Sequence, residues 1–311
     1  MTKTTASPTF SIQPWISAAR LRTLPLAFAV IALGAGLAHF HQPGSFDALL
    51  FVFAVFTSFF YQVLSNYAND LGDGIRGTDD AKKGEQRAVA SGAISVAAMK
   101  RAVLLCTVLA LVFGAVLIVL AFSALWVQIV FFIIHVTAIW AARSYTLGTN
   151  PYAYWGGGDV FVFLFFGYTG VIGSAALFTE SFFLMDLVPA TVAGALSAAV
   201  LTLNNLRDRE GDHANGKRTL VVRFGNSWGR GYFKVLMGLA QLLALVFSLY
   251  AATMTKQSYP VIAFLGFLFA QRFVLRKFSK ADDPQKLDAL LKPTALITLL
   301  YCIITALSLT L

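Results

Sequence analysis

Charge is what this sequence has little of. Asp, Glu, Lys and Arg make up 13% of its 311 residues, about half the share a soluble domain carries. Hydrophobic residues make up 58%, and the mean hydropathy is +0.71. A soluble globular fold fits that balance poorly. Cysteine is scarce too: Cys106 and Cys302 both fall in apolar runs, where a thiol packs as a small hydrophobe. Neither a disulfide framework nor a thiolate metal cluster is expected. The four histidines, His39, His41, His135 and His213, show no ligand spacing such as HExxH, which argues against zinc or iron. The first twenty residues are polar and interrupted by proline, with no apolar core before a small-residue cleavage site, so no removable signal peptide is read.

What is present is a series of uncharged runs, at 23–46, 48–69, 102–142, 160–179, 187–206, 235–255, 257–271 and 293–311. About 20 apolar residues in a helix cross a bilayer core. The run at 102–142 is twice that length and is split near Ser123 into a helical hairpin, giving nine spans. The expected fold is all-α: a polytopic membrane protein of nine transmembrane helices, forming one domain over 1–311. The run ending at Gln271 continues as RFVLRK; read as an interfacial segment, it would leave eight spans and reverse the side of the C-terminus.

Basic residues then set the topology. Of 24 Lys and Arg, 23 fall in the N-terminal stretch and four alternate loops, and the other side has only Lys256. The positive-inside rule places the N-terminus and those loops in the cytoplasm and, with nine spans, the C-terminus outside. Topology accounts for the net charge of +9 without a nucleic-acid partner, and the basic face attracts anionic lipid and anionic substrates.

The acids are concentrated. Eight of fifteen lie in the segments Ser65 to Glu85 and Asn204 to Asp212, each leaving the cytoplasmic end of an apolar span. Asn66 and Asp70 are four apart, as are Asn204, Asp208 and Asp212, which aligns each set on one helical face. The pairs Asn66–Asp70 and Asn204–Asp208 share an offset of 138 residues, a hint of an internal pseudo-repeat whose halves face each other. Facing carboxylate stripes suit magnesium, which takes oxygen ligands alongside substrate phosphates. Without a cation, crowded carboxylates repel. An isolated juxtamembrane Asp more simply solvates a loop or caps a helix. Two matching clusters among bases able to meet a diphosphate are harder to explain that way. Those bases are Arg87 with Lys82 or Lys83, Arg143, and Lys217 with Arg218.

These motifs resemble the UbiA superfamily of intramembrane aromatic prenyltransferases, whose motifs read NDxxDxxxD and DxxxD. Asn69, Asp70 and Asp73 match the first motif, and Asp208 and Asp212 the second. The last acid of the first motif is replaced by Gly77, with Asp79 and Asp80 close behind. The variant NYANDxGDGxxGTD resembles the branch that prenylates 1,4-dihydroxy-2-naphthoate in menaquinone synthesis. So do Arg22-Thr23-Leu24-Pro25-Leu26, Arg87 to Gly92, Pro151-Tyr152 with Gly156 and Gly158 before Asp159 to Gly167, and Asn204 to Asp208 leading to Gly216 to Leu220. The resemblance implies an enzyme of the cytoplasmic (inner) membrane, working on its cytoplasmic side. It implies Mg2+ held by Asn66, Asp70, Asp73, Asn204, Asp208 and Asp212, and a polyprenyl diphosphate whose tail lies between helices open to the bilayer. Arg22, Arg87, Arg143 and Lys217 would serve substrate binding. The naphthoate would lose CO2 as the prenyl group arrives, giving demethylmenaquinone.

Three further features are read from residue types. Tyr145 and Tyr152 lie before span 5, where their faces could shield an allylic cation, whereas Tyr154 reads as part of an interfacial aromatic belt. Asp159 caps the next helix or orients a phenol. Gly167, Gly170 and Gly173 read as a helix-packing face. The rival classes are prenylation of another aromatic such as 4-hydroxybenzoate, a transporter, for which Gln128 and His135 are the only polar candidates at depth, and a non-catalytic scaffold.

Overall fold

The computed structural model describes residues 11–77 and 87–311; Asp79, Asp80, Lys82, Lys83 and Glu85 lie outside them, as does the side chain of Arg22. All regular structure among the described residues is helical. A short α1, Gln13–Ala19, leads through the 3-10 turn Leu21–Thr23 into α2, Leu24–His41, then α3, Ala48–Arg76, α4, Val96–Ala121, and α5, Leu125–Ser144. Next come α6, Gly158–Val162, a π-helical segment, Phe163–Ile172, and α7, Gly173–Thr179, in one continuous rod. The remainder is α8, Leu187–Ala214, a short α9, Leu220–Phe224, α10, Asn226–Thr255, α11, Tyr259–Ser279, and α12, Pro284–Ser308.

Eight of these helices are long and apolar enough to cross a membrane. Helix α11 has the length but carries Arg272, Arg276 and Lys277 in its second half; it packs between α10 and α12. Large apolar side chains point outward along the helices, among them Leu104, Val119, Trp126, Ile133 and Phe269, as lipid-facing surface requires. The chain is an integral multi-pass membrane protein.

The 102–142 run turns at the expected place. Helix α4 stops at Ala121, and the Ser123 amide and hydroxyl both donate to Glu180, at 3.1 and 3.0 Å. Helix α8 is the central element, packing against α6, the π segment, α10 and α12. Its composition permits this: Ala190, Ala193, Gly194, Ala195, Ser197, Ala198 and Ala199 are all buried, and small residues let backbones approach closely. A Cβ at Gly167 would lie 2.8 Å from the Ala190 carbonyl, and one at Gly170 2.8 Å from Val30 of α2. Gly173 faces open space instead. The wider π winding rotates these three residues away from a common face, so the glycine stripe serves two neighbours and a cavity wall.

Candidate active site

Helix α3 is 29 residues long, about 44 Å at 1.5 Å per residue, well beyond a hydrocarbon core of about 30 Å. Its last turns, and those of α8, therefore extend to the membrane surface, and both Asp-rich motifs are on helix rather than loop. Carboxylates at helix C-termini face the negative end of the macrodipole. They need nearby positive groups, and the structure supplies one or more for each.

Asp73 is fully buried. Its Oδ2 takes the Lys217 ammonium at 2.8 Å, with the Arg87 guanidinium 3.9 Å away, and its Oδ1 takes the Tyr154 hydroxyl at 3.3 Å. Lys217 Nζ is also 4.0 Å from Asp212 Oδ1, so one buried ammonium spans the two motifs. The turn after α8 holds it there, since the Lys217 amide donates to the Asp212 carbonyl at 2.9 Å. With the Asn69 amide oriented to satisfy its neighbours, it donates to Asp73 at 3.1 Å and accepts from Arg20 at 3.2 Å.

Asp70 is engaged differently. Its oxygens accept the Ala88 and Val89 amides at 3.1 and 2.9 Å, pinning the segment that carries Arg87. Asn66 donates to the Ala19 carbonyl at 2.8 Å and to the Thr23 hydroxyl at 3.2 Å, fixing α1 over the site. In the second motif, Arg207 donates to both Asp208 oxygens at 2.7 and 2.6 Å, to Asn204 Oδ1 at 2.7 Å and to Asp288 of α12 at 2.5 Å. Among the described residues no three His, Cys, Asp or Glu side chains converge as a preformed metal nest. Hard anionic oxygens from both motifs nonetheless surround cations already, which is the donor chemistry a divalent ion requires.

Gly77 has φ 68°, and its amide closes the last turn of α3 on Asp73 and Gly74. Glycine is the residue for such a left-handed cap, so the departure from the motif is where the helix ends.

Behind the acids a cavity of about 560 Å³ runs between α2, α3, α5 and the π segment. Along α3 it extends from Asn69 to Ala54, fifteen residues or roughly 22 Å of rise. Its walls are mostly apolar, including Leu26, Val30, Leu117, Ile118, Phe131 and Phe165, while Arg20, Asn66, Asn69, Asn204 and Lys292 stand at its polar end. A cavity of this shape and lining fits a long apolar ligand with one polar end. Midway, Tyr61 bonds His135, and His135 Nε2 lies 3.3 Å from the Leu111 carbonyl. Helix α5 packs on α3 and α4, and aromatic pairs link it to the rod opposite, Trp140–Phe161 at 6.1 Å, and to the segment just after the rod, Phe131–Phe182 at 6.4 Å.

Tyr145 and Tyr152 both line this cavity, edge to face with centroids 5.3 Å apart. Tyr152 donates to the Ala141 carbonyl at 2.9 Å and stacks on Phe161 at 4.1 Å. Burial pushes both phenols above their usual range; Tyr152, Asp212, Asp73 and Asp159 raise Tyr145 further. Tyr154 departs from the belt reading: it binds Asp73, and its ring lies 5.3 Å from Lys217 Nζ and 5.0 Å from the Arg76 guanidinium. Asp159 is buried in the first turn of α6, beside Thr202 of α8. Arg143 is exposed at the end of α5 and makes no ion pair among the described residues.

Sequence reasoning passed over Arg20, Arg207 and Asp288. Arg20 had a local signal in the SAARLR segment, whereas the Arg207–Asp288 pair joins residues 81 apart.

Comparison with known proteins places this geometry. The UbiA prenyltransferase family model matches residues 26–300. The 1,4-dihydroxy-2-naphthoate octaprenyltransferase of Escherichia coli is 38% identical over 291 residues, covering 93% of this chain and 94% of that protein. The protein of the same name from Haemophilus influenzae is 36% identical, with 96% of each covered. A UbiA homolog from Archaeoglobus fulgidus, solved with GPP and Mg2+, shares the fold at TM-score 0.66 and 15% identity over 96% of this chain and all of that one. The chain belongs to the UbiA prenyltransferase family.

Proposed function

We propose that this chain transfers a polyprenyl group from polyprenyl diphosphate to 1,4-dihydroxy-2-naphthoate in menaquinone biosynthesis. The observation that carries this reading is Lys217, whose ammonium joins Asp212 of the second motif to Asp73 of the first, one turn of α3 beyond Asn69, which lines the polar end of a long apolar cavity. The relatives named for this reaction span nearly the whole chain, and the shared fold accepts a prenyl diphosphate with Mg2+. In this reading nine helices cross the inner membrane, the N-terminus and the acid cluster are cytoplasmic, and the C-terminus lies outside.

Magnesium would be held by Asn66, Asp70, Asp73, Asn204, Asp208 and Asp212, and it supplies neutralisation of the leaving diphosphate. The protein's own groups do the rest. Lys217 and Arg87 meet the charge that builds on the diphosphate as the allylic C–O bond breaks. The cavity takes the tail and keeps water from the allylic carbon. Tyr145 and Tyr152 present neutral ring faces toward the developing carbocation, and their raised phenol pKa values keep them neutral. The ring carbon that bears the carboxylate attacks, forming the C–C bond. CO2 then leaves, its bonding electrons returning to the ring, so no side chain has to remove a ring proton. The organic product is demethylmenaquinol, the reduced form of demethylmenaquinone.

The test is turnover by purified protein in detergent with Mg2+, a long-chain polyprenyl diphosphate, and 1,4-dihydroxy-2-naphthoate or 4-hydroxybenzoate as parallel acceptors. Decarboxylated prenyl naphthoquinol is expected, with none after EDTA. Prenylated hydroxybenzoate alone would move the chain to another branch of its family.

A further inference from the structure

We propose that Lys292, on the C-terminal helix, binds the carboxylate of the aromatic acceptor. The proposal rests on the acceptor reading above and adds a specificity residue from an element that the Asp-rich motifs do not include. Asp288 and Lys292 are four apart near the start of α12 and so share a face. Asp288 takes the Arg207 guanidinium at 2.5 Å while that same guanidinium holds Asn204 and Asp208. One helical turn before Lys292, α12 is therefore clamped to the second motif. Pro293 follows at once; it has no amide hydrogen for the Ala289 carbonyl, so the helix is loosened at this point. The turn Leu21–Thr23, next to Arg20, also packs on α12.

The cations of the acid cluster and of the cavity's polar end differ in how they are occupied. Lys217 is paired with Asp73, Arg207 with Asp208 and Asp288, and Arg20 is bonded to Asn69. Lys292 lines the cavity beside Asn204, Leu291 and Ala295, and among the described residues it has neither a hydrogen bond nor an ion pair. Asp70, Asp73, Asp208 and Asp212 do not line that cavity, whereas Lys292 does. The cluster of acids, with Lys217 and Arg87, is the place for the diphosphate, and Lys292, an exposed residue near the start of α12, lines the mouth of the organic chamber. A carboxylate brought into that apolar chamber is destabilised unless it meets a cation, and Lys292 is the lysine that lines it.

The experiment measures KM for donor and acceptor separately with full-length wild type, Lys292→Gln and Lys292→Arg, each first shown to be monodisperse and to unfold at the wild-type temperature. The expected result is an acceptor KM raised about tenfold in Lys292→Gln, equivalent to about 1.4 kcal/mol, with donor KM unchanged and most of the loss restored in Lys292→Arg. A second readout is binding without donor, followed by fluorescence quenching. Wild type should prefer 1,4-dihydroxy-2-naphthoate over 1,4-dihydroxynaphthalene, which lacks the carboxylate, and Lys292→Gln should lose that preference. An unchanged acceptor KM, a fall in kcat alone, or a rise in donor KM instead would each overturn the assignment, the last by giving Lys292 to the diphosphate. Wild-type turnover of the naphthoate tests the underlying function separately.

Discussion

Replacing Lys217 by Met removes the ammonium that joins the two motifs and keeps an apolar stem. Asp73 is left at 0% exposure with Tyr154 and Asn69 as hydrogen-bond donors and Arg87 at 3.9 Å. Removing one partner of a buried ion pair costs about 3 to 5 kcal/mol, and the remaining donors favour the lower end. At about 2 °C per kcal/mol for a chain of this size, melting in detergent with EDTA should fall by about 6 °C. A divalent cation can neutralise Asp73 and Asp212 in place of the ammonium, and a ligand that binds the folded state alone raises its stability. Millimolar Mg2+ should therefore recover a larger share of stability in Lys217→Met than it adds to wild type. The assay is thermal unfolding followed by intrinsic fluorescence, with EDTA and with Mg2+. An equal gap between variant and wild type in both buffers would refute the idea that ammonium and metal compete for one set of carboxylates.

Other consequences can be checked with single variants. Asp70→Asn, Asp73→Asn, Asp208→Asn and Asp212→Asn should each lower kcat by about 100-fold or more, with Asp79→Asn far milder; a reversed order in steady-state rates would show the ligands misassigned. Gly72→Ala puts a Cβ 2.7 Å from the Thr146 carbonyl, an overpacking worth about 1 to 3 kcal/mol, so it should lower both melting temperature and turnover, whereas Gly231→Ala, which meets nothing within 4 Å, should be neutral. Burial raises Tyr145 and Tyr152 above the usual phenol value. Because the folded values exceed the unfolded one, their stabilisation is intact below about pH 10 and is lost as pH rises beyond it. In an ultraviolet titration to about pH 11, Tyr145→Phe and Tyr152→Phe should leave the tyrosinate signal of the folded protein unchanged; loss of one equivalent would contradict the burial argument.

The parts of this structure readable from sequence are those set by local rules. Charge-free runs located the eight helices long and apolar enough to cross a membrane, and Ser123 marked the hairpin because a helix cannot continue through two bilayer thicknesses. The i, i+4 spacing placed Asn66 with Asp70 and Asn204 with Asp208 on helix ends. Non-local pairing is where the reading stopped. Nothing near Tyr154 announces that it reaches Asp73, because the contact depends on how the loop before α6 folds over α3. Arg207 reads as one more basic residue in a cytoplasmic loop until α12 brings Asp288 to it. The exchange of an acid for Gly77 became interpretable only when its φ of 68° showed a helix cap. The faces of Gly167, Gly170 and Gly173 diverged because the segment winds as a π-helix, which spacing rules for α-helices do not anticipate.

The central claim is that the acid cluster and the cavity together join a prenyl chain to a naphthoate at the carbon its carboxylate leaves. The most direct measurement supplies 1,4-dihydroxy-2-naphthoate labelled with 13C in the carboxylate, with a polyprenyl diphosphate and Mg2+, and counts labelled CO2, diphosphate and prenylated product together. The account predicts one of each per turnover, all absent with EDTA. A prenylated product that keeps the label, or diphosphate released without any prenylated naphthalene, would contradict it.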